Sequence, residues 1–163
     1  REFRFKPIVI ETFDNLCKLC TDYCMKANQV SHPSDLPFGK GYDIIGKEMS
    51  KTLTFLSLLP CGLVLTSHEK TEEIKTRVSS YNKSMPSPSG VYRKLIVGMC
   101  DLILFAHNVQ KKDSEGRTIN ERLVQTKASE YWEAGDRTST LPETLPFDFN
   151  EFMKAWNSRK DSK

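Results

Sequence analysis

The chain has 163 residues, enough for one compact domain and short of two. Hydrophobic residues make up 38% and charged residues 28%, with a net charge of +3, a balance that excludes a disordered polyampholyte and a repeat array. The longest apolar stretch, Phe55 to Thr66 (FLSLLPCGLVLT), is broken by Pro60 and Gly62 and falls short of the ~20 residues that span a bilayer, which excludes an integral membrane protein.

Phe5 to Glu11 (FKPIVIE) predicts a buried strand, and the unbroken run Ile8-Val9-Ile10 suits a parallel sheet covered on both faces. Thr12 or Asp14 then caps a helix that continues to about Ala27, with Leu16, Cys20, Tyr23 and Cys24 on one face. Cys17, Cys20 and Cys24 recur at the spacing of a helix face, where reduced cysteine packs as a small hydrophobe. The same spacing also suits three ligands of a metal site whose nearest fourth is His32. The first residues, REFRFKPIVIE, have no apolar core leading to a small-residue cleavage site. The five cysteines therefore read as reduced thiols in a cytosolic protein.

A polar loop with Pro33 and Pro37 precedes a second helix, opened by Gly41 and running from about Tyr42 to Leu59, with Ile45, Met49 and Leu53 at helical spacing. Pro60 and Gly62 end it. Leu63 to Ser67 (LVLTS) predicts a second buried strand, ending in His68. Residues 69–90 predict a mobile loop. From Glu69 to Lys94 there are six basic and three acidic residues, an excess that permits contact with a polyanion. Val91 to Met99 predicts a short helix, and Leu102 to Ala106 another central strand. Ser114-Glu115-Gly116 marks a hairpin tip with Leu123 to Thr126 in its return strand, and Asp148 with Glu151 starts a terminal helix in capping-box spacing. Residues 157–163 read as a disordered tail.

Two strand ends carry the chemistry. A strand ending in a carboxylate, as Ile8-Val9-Ile10-Glu11 does, has the form that delivers an acid to a nucleotide-bound Mg²⁺. A neighbouring strand ending in a polar hydrogen-bonding residue, as Leu63 to His68 does, has the form that senses a terminal phosphate or a positioned water. Each form is also common where a strand simply meets a turn. A nuclease built on Glu11, Asp14 and His68 lacks the further acids that a metal pair requires.

Five stretches taken in order resemble the phage-encoded RecA-like ATPases with an AAA-type nucleotide-binding domain, relatives of single-strand annealing and recombination ATPases. They are VIETFDN (Val9 to Asn15), FGKGYDII (Phe38 to Ile45), LVLTSHEK (Leu63 to Lys70), VGMCDLILFAH (Val97 to His107) and TKASEYWEAGDRT (Thr126 to Thr138), followed by LPETLPFDFNEF (Leu141 to Phe152). The resemblance implies one α/β RecA-like core over residues 1–163, a mostly parallel sheet flanked by helices, and a C-terminal β-hairpin. It further implies ATP with Mg²⁺, single-stranded DNA as partner, a homo-oligomeric ring or filament, no membrane, and the cytoplasm (the host's, for a phage protein).

Carried over by position, Glu11 stands where the family has the aspartate that holds Mg²⁺ through water, and His68 stands at the sensor position. Asp14 acts behind Glu11 or caps its helix. Residues 69–90 match the DNA-facing loop, with Lys70, Lys75, Arg77 and Lys83 on phosphates and Tyr81 or Tyr92 on a base, Tyr92 being equally suited to the helix core. Lys127 and Arg137 match residues that reach a neighbouring subunit's nucleotide, or form surface salt bridges. One departure stands out. The sequence holds no G-x-x-x-x-G-K-[ST], and Phe38-Gly39-Lys40-Gly41 supplies only the fragment GK. In the family the phosphate loop and its strand come before the region that matches here. The resemblance therefore implies the C-terminal two-thirds of such a domain, with weak or no ATP hydrolysis by this polypeptide alone. The alternative is a non-catalytic DNA-binding or interaction module.

Overall fold

Continuous β-branched residues favour strand, and Pro7–Ile10 forms β1, paired in parallel with β2 (Gly62–Leu65) in the register Pro7 to Gly62 through Ile10 to Leu65. The computed structural model describes residues 7–88 and 90–158. These divide into two compact units, residues 7–70 with 86–88 and 90–99, and residues 71–85 with 100–158.

In the first unit the chain passes from β1 through helix α1 (Phe13–Ala27) and helix α2 (Lys40–Ser57) into β2, with α3 (Val91–Met99) packed on α2. The β–α–β order agrees with the expectation from the sequence, because a parallel partner requires a long crossover. Phe13, Cys17, Cys24, Met25, Ile45, Met49, Leu53, Tyr92 and Ile96 form its core. Tyr23, expected on the buried face of α1, is instead exposed, and Cys17 takes the inward position. Phe13 and Cys17, four residues apart, share the face that turns toward the core.

The stretch Phe38-Gly39-Lys40-Gly41 is a helix entrance. Gly39 holds a left-handed φ of 72° just before α2. A Cβ on Gly41 would stand 2.2 Å from the backbone oxygen of Pro33, so only glycine admits this approach.

Residues 69–86, expected as loop, are two paired strands, β3 (Glu69–Lys75) and β4 (Ser80–Pro86). Four residues join them, closed by the Thr76 N–H donating to the Ser79 carbonyl at 2.8 Å. So short a connection permits only an antiparallel hairpin. Ile74, Tyr81 and Met85 turn inward at strand spacing, a period that the dense charges of this segment conceal.

The second unit is antiparallel throughout its strand pairs, which corrects the expectation of a mostly parallel sheet. β6 (Phe105–Lys112) pairs β7 (Thr118–Gln125), β7 pairs β9 (Thr144–Pro146), and β5 (Leu102–Ile103) pairs β8 (Gly135–Asp136). The expected central strand Leu102 to Ala106 breaks at Leu104, and its halves take different antiparallel partners. The hairpin turn falls at the expected residues, with Gly116 at a φ of 79° and the Asp113 carboxylate accepting from the Glu115 and Arg117 N–H groups. Helix α4 (Phe149–Ser158) is capped by Asp148, whose Oδ1 accepts from the N–H of Asn150 and Glu151. Residues 157 and 158 of the expected tail are therefore helical, and 159–163 lie outside the described residues.

Asp136 organises the loop between β8 and β9. It accepts from the N–H and hydroxyl of Thr138 and from the N–H groups of Thr140 and Leu141, at 2.6 to 2.9 Å. Burial alone would raise its pKa, but these four donors prevail and hold it at about 2. Because the folded value lies below the unfolded one, this stabilisation is full above about pH 4 and is lost as the pH falls towards 2. Asp136→Asn should cost about 1–3 kcal/mol at neutral pH and weaken the acid dependence of unfolding between pH ~4 and ~2, measured by denaturant titration. Gly41→Ala should cost about 1–3 kcal/mol through overpacking against Pro33, measured in the same way.

Candidate nucleotide-side site

Parallel pairing brings the ends of β1 and β2 to one side of the first unit. The Thr66 N–H donates to the Ile10 carbonyl at 3.1 Å, and the Phe13 N–H donates to the Thr66 carbonyl at 2.8 Å. Helix α1 starts at this edge. Thr12 is its N-cap, its Oγ1 accepting the Asn15 N–H at 3.4 Å, so the cap falls to Thr12 and leaves Asp14 free for other work.

Asp14 Oδ2 accepts the backbone N–H of His68 at 3.2 Å, and His68 Nδ1 lies 3.7 Å from the same oxygen. The imidazole is largely exposed, so its charge contact adds little and the backbone bond carries the link. The His68 carbonyl in turn accepts the Ser87 N–H at 2.8 Å. One carboxylate thus fixes the residue at the entry to the β3–β4 hairpin, which is itself bonded to the residue just beyond the exit.

The Asp14 side chain is only 12% exposed, and its Oδ1 is buried without a hydrogen-bond partner. Burial works to raise its pKa. The nearby Ser87 hydroxyl, the His68 N–H and the Ser67 hydroxyl outweigh that effect and hold the carboxyl below the ordinary range, so it is an anion at neutral pH. An open groove of about 460 Å³ adjoins it, lined by Asp14, Lys18, Thr21, Asp22, Ser87 and Tyr92 among others.

Of the residues singled out in the sequence, Asp14 and His68 meet here. Glu11 is exposed at the bend after β1, and its side chain forms no hydrogen bond or ion pair with the described residues. The acid against His68 is therefore Asp14, three residues later, because the first turn of α1 aims it at the end of β2. Tyr92 is buried, donating to the Cys17 carbonyl at 3.0 Å and sharing a 2.6 Å bond with Thr21 Oγ1, so it presents no face to a base. Lys83 turns inward on β4 and pairs with Glu133 at 2.8 Å, which withdraws it from a phosphate contact. Lys75 lies 3.4 Å from Glu73, and Arg77 is exposed in the turn. Lys70 is exposed on β3.

Lys127 and Arg137 belong to the second unit. Lys127 is exposed, and its carbonyl accepts from Trp132 Nε1; Arg137 lies 3.3 Å from Asp101. Cys17 and Cys24 are buried in the α1 core, and burial first, then the Asp14 charge, pushes the Cys17 thiol up to about 12. His32 caps a 3₁₀ turn with its Nδ1. Among the described residues no group of three His, Cys, Asp or Glu is placed to hold a metal ion by itself.

The donor set at the strand ends suits Mg²⁺ in a partly hydrated state. Glu11 and Asp14 supply hard oxygens, and Asp14 Oδ1 is buried with no hydrogen-bond partner of good geometry among the described residues. The phosphate cradle of such a site is a glycine-rich loop, which is not among residues 1–163. Glu11 and Asp14 are the residues at these strand ends that could hold such an ion with water completing its shell.

Among the described residues no helix is long and apolar enough to cross a membrane. No curated relative and no solved structure matches the chain. Residues 2–138 match the family described as AAA domain, and that span takes in β1, β2 and every residue of the strand-end site. The match covers most of the chain, and the chain belongs to this AAA family of P-loop-type, nucleotide-binding ATPases.

Proposed function

We propose that the chain is the sensor-side portion of an ATP- and Mg²⁺-dependent, RecA-like ATPase that acts on single-stranded DNA in phage recombination or annealing. The observation that supports it most is the bond from the His68 N–H to Asp14, at the edge where both strands of the parallel pair end. The family match supplies the nucleotide.

In this reading Glu11 holds Mg²⁺ through water, and Asp14 orients the segment that presents His68 to the terminal phosphate. Bound Mg²⁺ supplies charge neutralisation for the transferring phosphoryl group. His68 runs directly into β3, so a shift of the His68 backbone reaches the hairpin through one peptide bond on one side and through the Ser87 N–H on the other. Lys70, Lys75 and Arg77 on that hairpin then meet the DNA phosphates. In a homo-oligomer, Lys127 and Arg137 reach the neighbouring subunit's nucleotide, where such a cation is worth about 10³-fold or more in rate. A second reading is a DNA-binding module that does not hydrolyse nucleotide, which the exposed cations Lys70, Lys75 and Arg77 of the hairpin also suit.

Binding of labelled single-stranded DNA, followed by anisotropy over a salt series with and without ATP and Mg²⁺, separates the two. The ATPase reading expects salt-sensitive binding tightened about fivefold or more by nucleotide, the lower range of allosteric coupling. Asp14→Asn and His68→Ala should each abolish that tightening and leave nucleotide-free binding unchanged. Salt-sensitive binding indifferent to ATP supports the plain module, and no binding at low salt contradicts both.

A further inference from the structure

The β6–β7 ribbon carries a surface that the strand-end site leaves unused. Its register sets Asn108 opposite Arg122, Gln110 opposite Asn120 and Lys112 opposite Thr118. Side chains alternate along a strand, so these six share one face. All six are exposed, and none of their side chains has a hydrogen bond or ion pair among the described residues.

The face bears three amides, one hydroxyl, two cations and no carboxylate. The acids of the ribbon are all engaged elsewhere. Glu121 pairs with Lys111 beside Val109 and Ile119 on the opposite face, while Asp113 and Glu115 pair with Arg117 at the turn. Asparagine is depleted in strands, so folding does not account for Asn108 and Asn120.

We propose that this face docks in the major groove of duplex DNA. That groove, ~12 Å wide, admits a two-stranded ribbon, and its base edges are read by the groups present here. Asparagine and glutamine amides match adenine N6 and N7, arginine matches guanine O6 and N7, and lysine matches guanine or a phosphate. From Asn108 to Lys112 the strand rises roughly 14 Å, the length of about four base pairs. The two cations face the duplex without an opposing acid, so charge and hydrogen-bonding pattern agree. The six residues themselves are polar or charged, and the exposed rings of Phe147 and Phe149 lie only at the Arg122 end of the face. Duplex RNA is excluded by its deep, narrow major groove.

Anisotropy of the full 163-residue chain with a labelled DNA duplex, the matching single strand and an RNA duplex, all without nucleotide, tests this. Lys112→Ala/Arg122→Ala should weaken duplex DNA binding about tenfold and flatten the slope of log affinity against log salt by about two. Asn108→Ala/Gln110→Ala/Asn120→Ala should reduce discrimination between duplex sequences. Lys111→Ala/Glu121→Ala, which removes the ion pair of the opposite face, should bind as the unaltered chain does. All these side chains lie on the ribbon's surfaces, and an unchanged unfolding midpoint confirms that the variants fold. Asp14→Asn should bind duplex normally, which separates this proposal from the nucleotide-dependent one. The proposal is overturned if the chain binds no DNA duplex, if Lys112→Ala/Arg122→Ala binds it normally, if the opposite-face variant weakens it equally, or if the loss falls on the single strand instead.

Discussion

Asp14 stands where a helix begins and two parallel strands end, and its carboxylate holds the backbone of the second strand by the His68 N–H. Its position in the first turn of α1 favours the anion through the helix dipole. One oxygen makes that bond while the other is buried without a partner, an arrangement that costs about 1–3 kcal/mol when nothing else compensates. The Ser67 and Ser87 hydroxyls offset part of that cost by helping to hold the carboxylate as an anion.

The two units differ in what their backbones do. In the first, parallel pairing and a helical crossover gather Glu11, Asp14 and His68 at one edge, the usual place for ligands in open α/β sheets. In the second, the strand pairs β6–β7, β7–β9 and β5–β8 are antiparallel, and a tight turn joins the first of them. Antiparallel ribbons can leave one face in water, and the β6–β7 ribbon does so with six side chains that have no hydrogen bond or ion pair among the described residues. The hairpin of β3 and β4 is the covalent continuation of the first site, anchored at His68 and Ser87.

Much of the first unit was legible in the sequence. Ile8-Val9-Ile10 and Leu63-Val64-Leu65 are strands as their apolar runs suggest, but Val9 and Val64 are exposed, so the expected cover on both faces is absent among the described residues; α3 begins and ends where Gly90 and the hydrophobic spacing place it. Gly116 announced the second-unit turn because its backbone angle requires glycine. The hairpin of residues 69–86 was hidden because seven charges mask a period of two carried by Ile74, Tyr81 and Met85. The role of Asp14 was hidden for another reason. Its partner is a backbone N–H 54 residues away, and no side-chain pattern records that pairing. The resemblance puts Lys83 on phosphates, and neither it nor the local charge pattern shows that Glu133, fifty residues away, pairs with that lysine.

The proposed function requires a strand-end site that responds to nucleotide through the His68 backbone. The amide resonances of His68 and Ser87, followed by ¹H–¹⁵N NMR as ATP and Mg²⁺ are added, report on that response directly. They should move together and saturably in the unaltered chain, and the movement should vanish in Asp14→Asn. Resonances that stay fixed while nucleotide binds elsewhere on the protein, or that shift equally in Asp14→Asn, would contradict it.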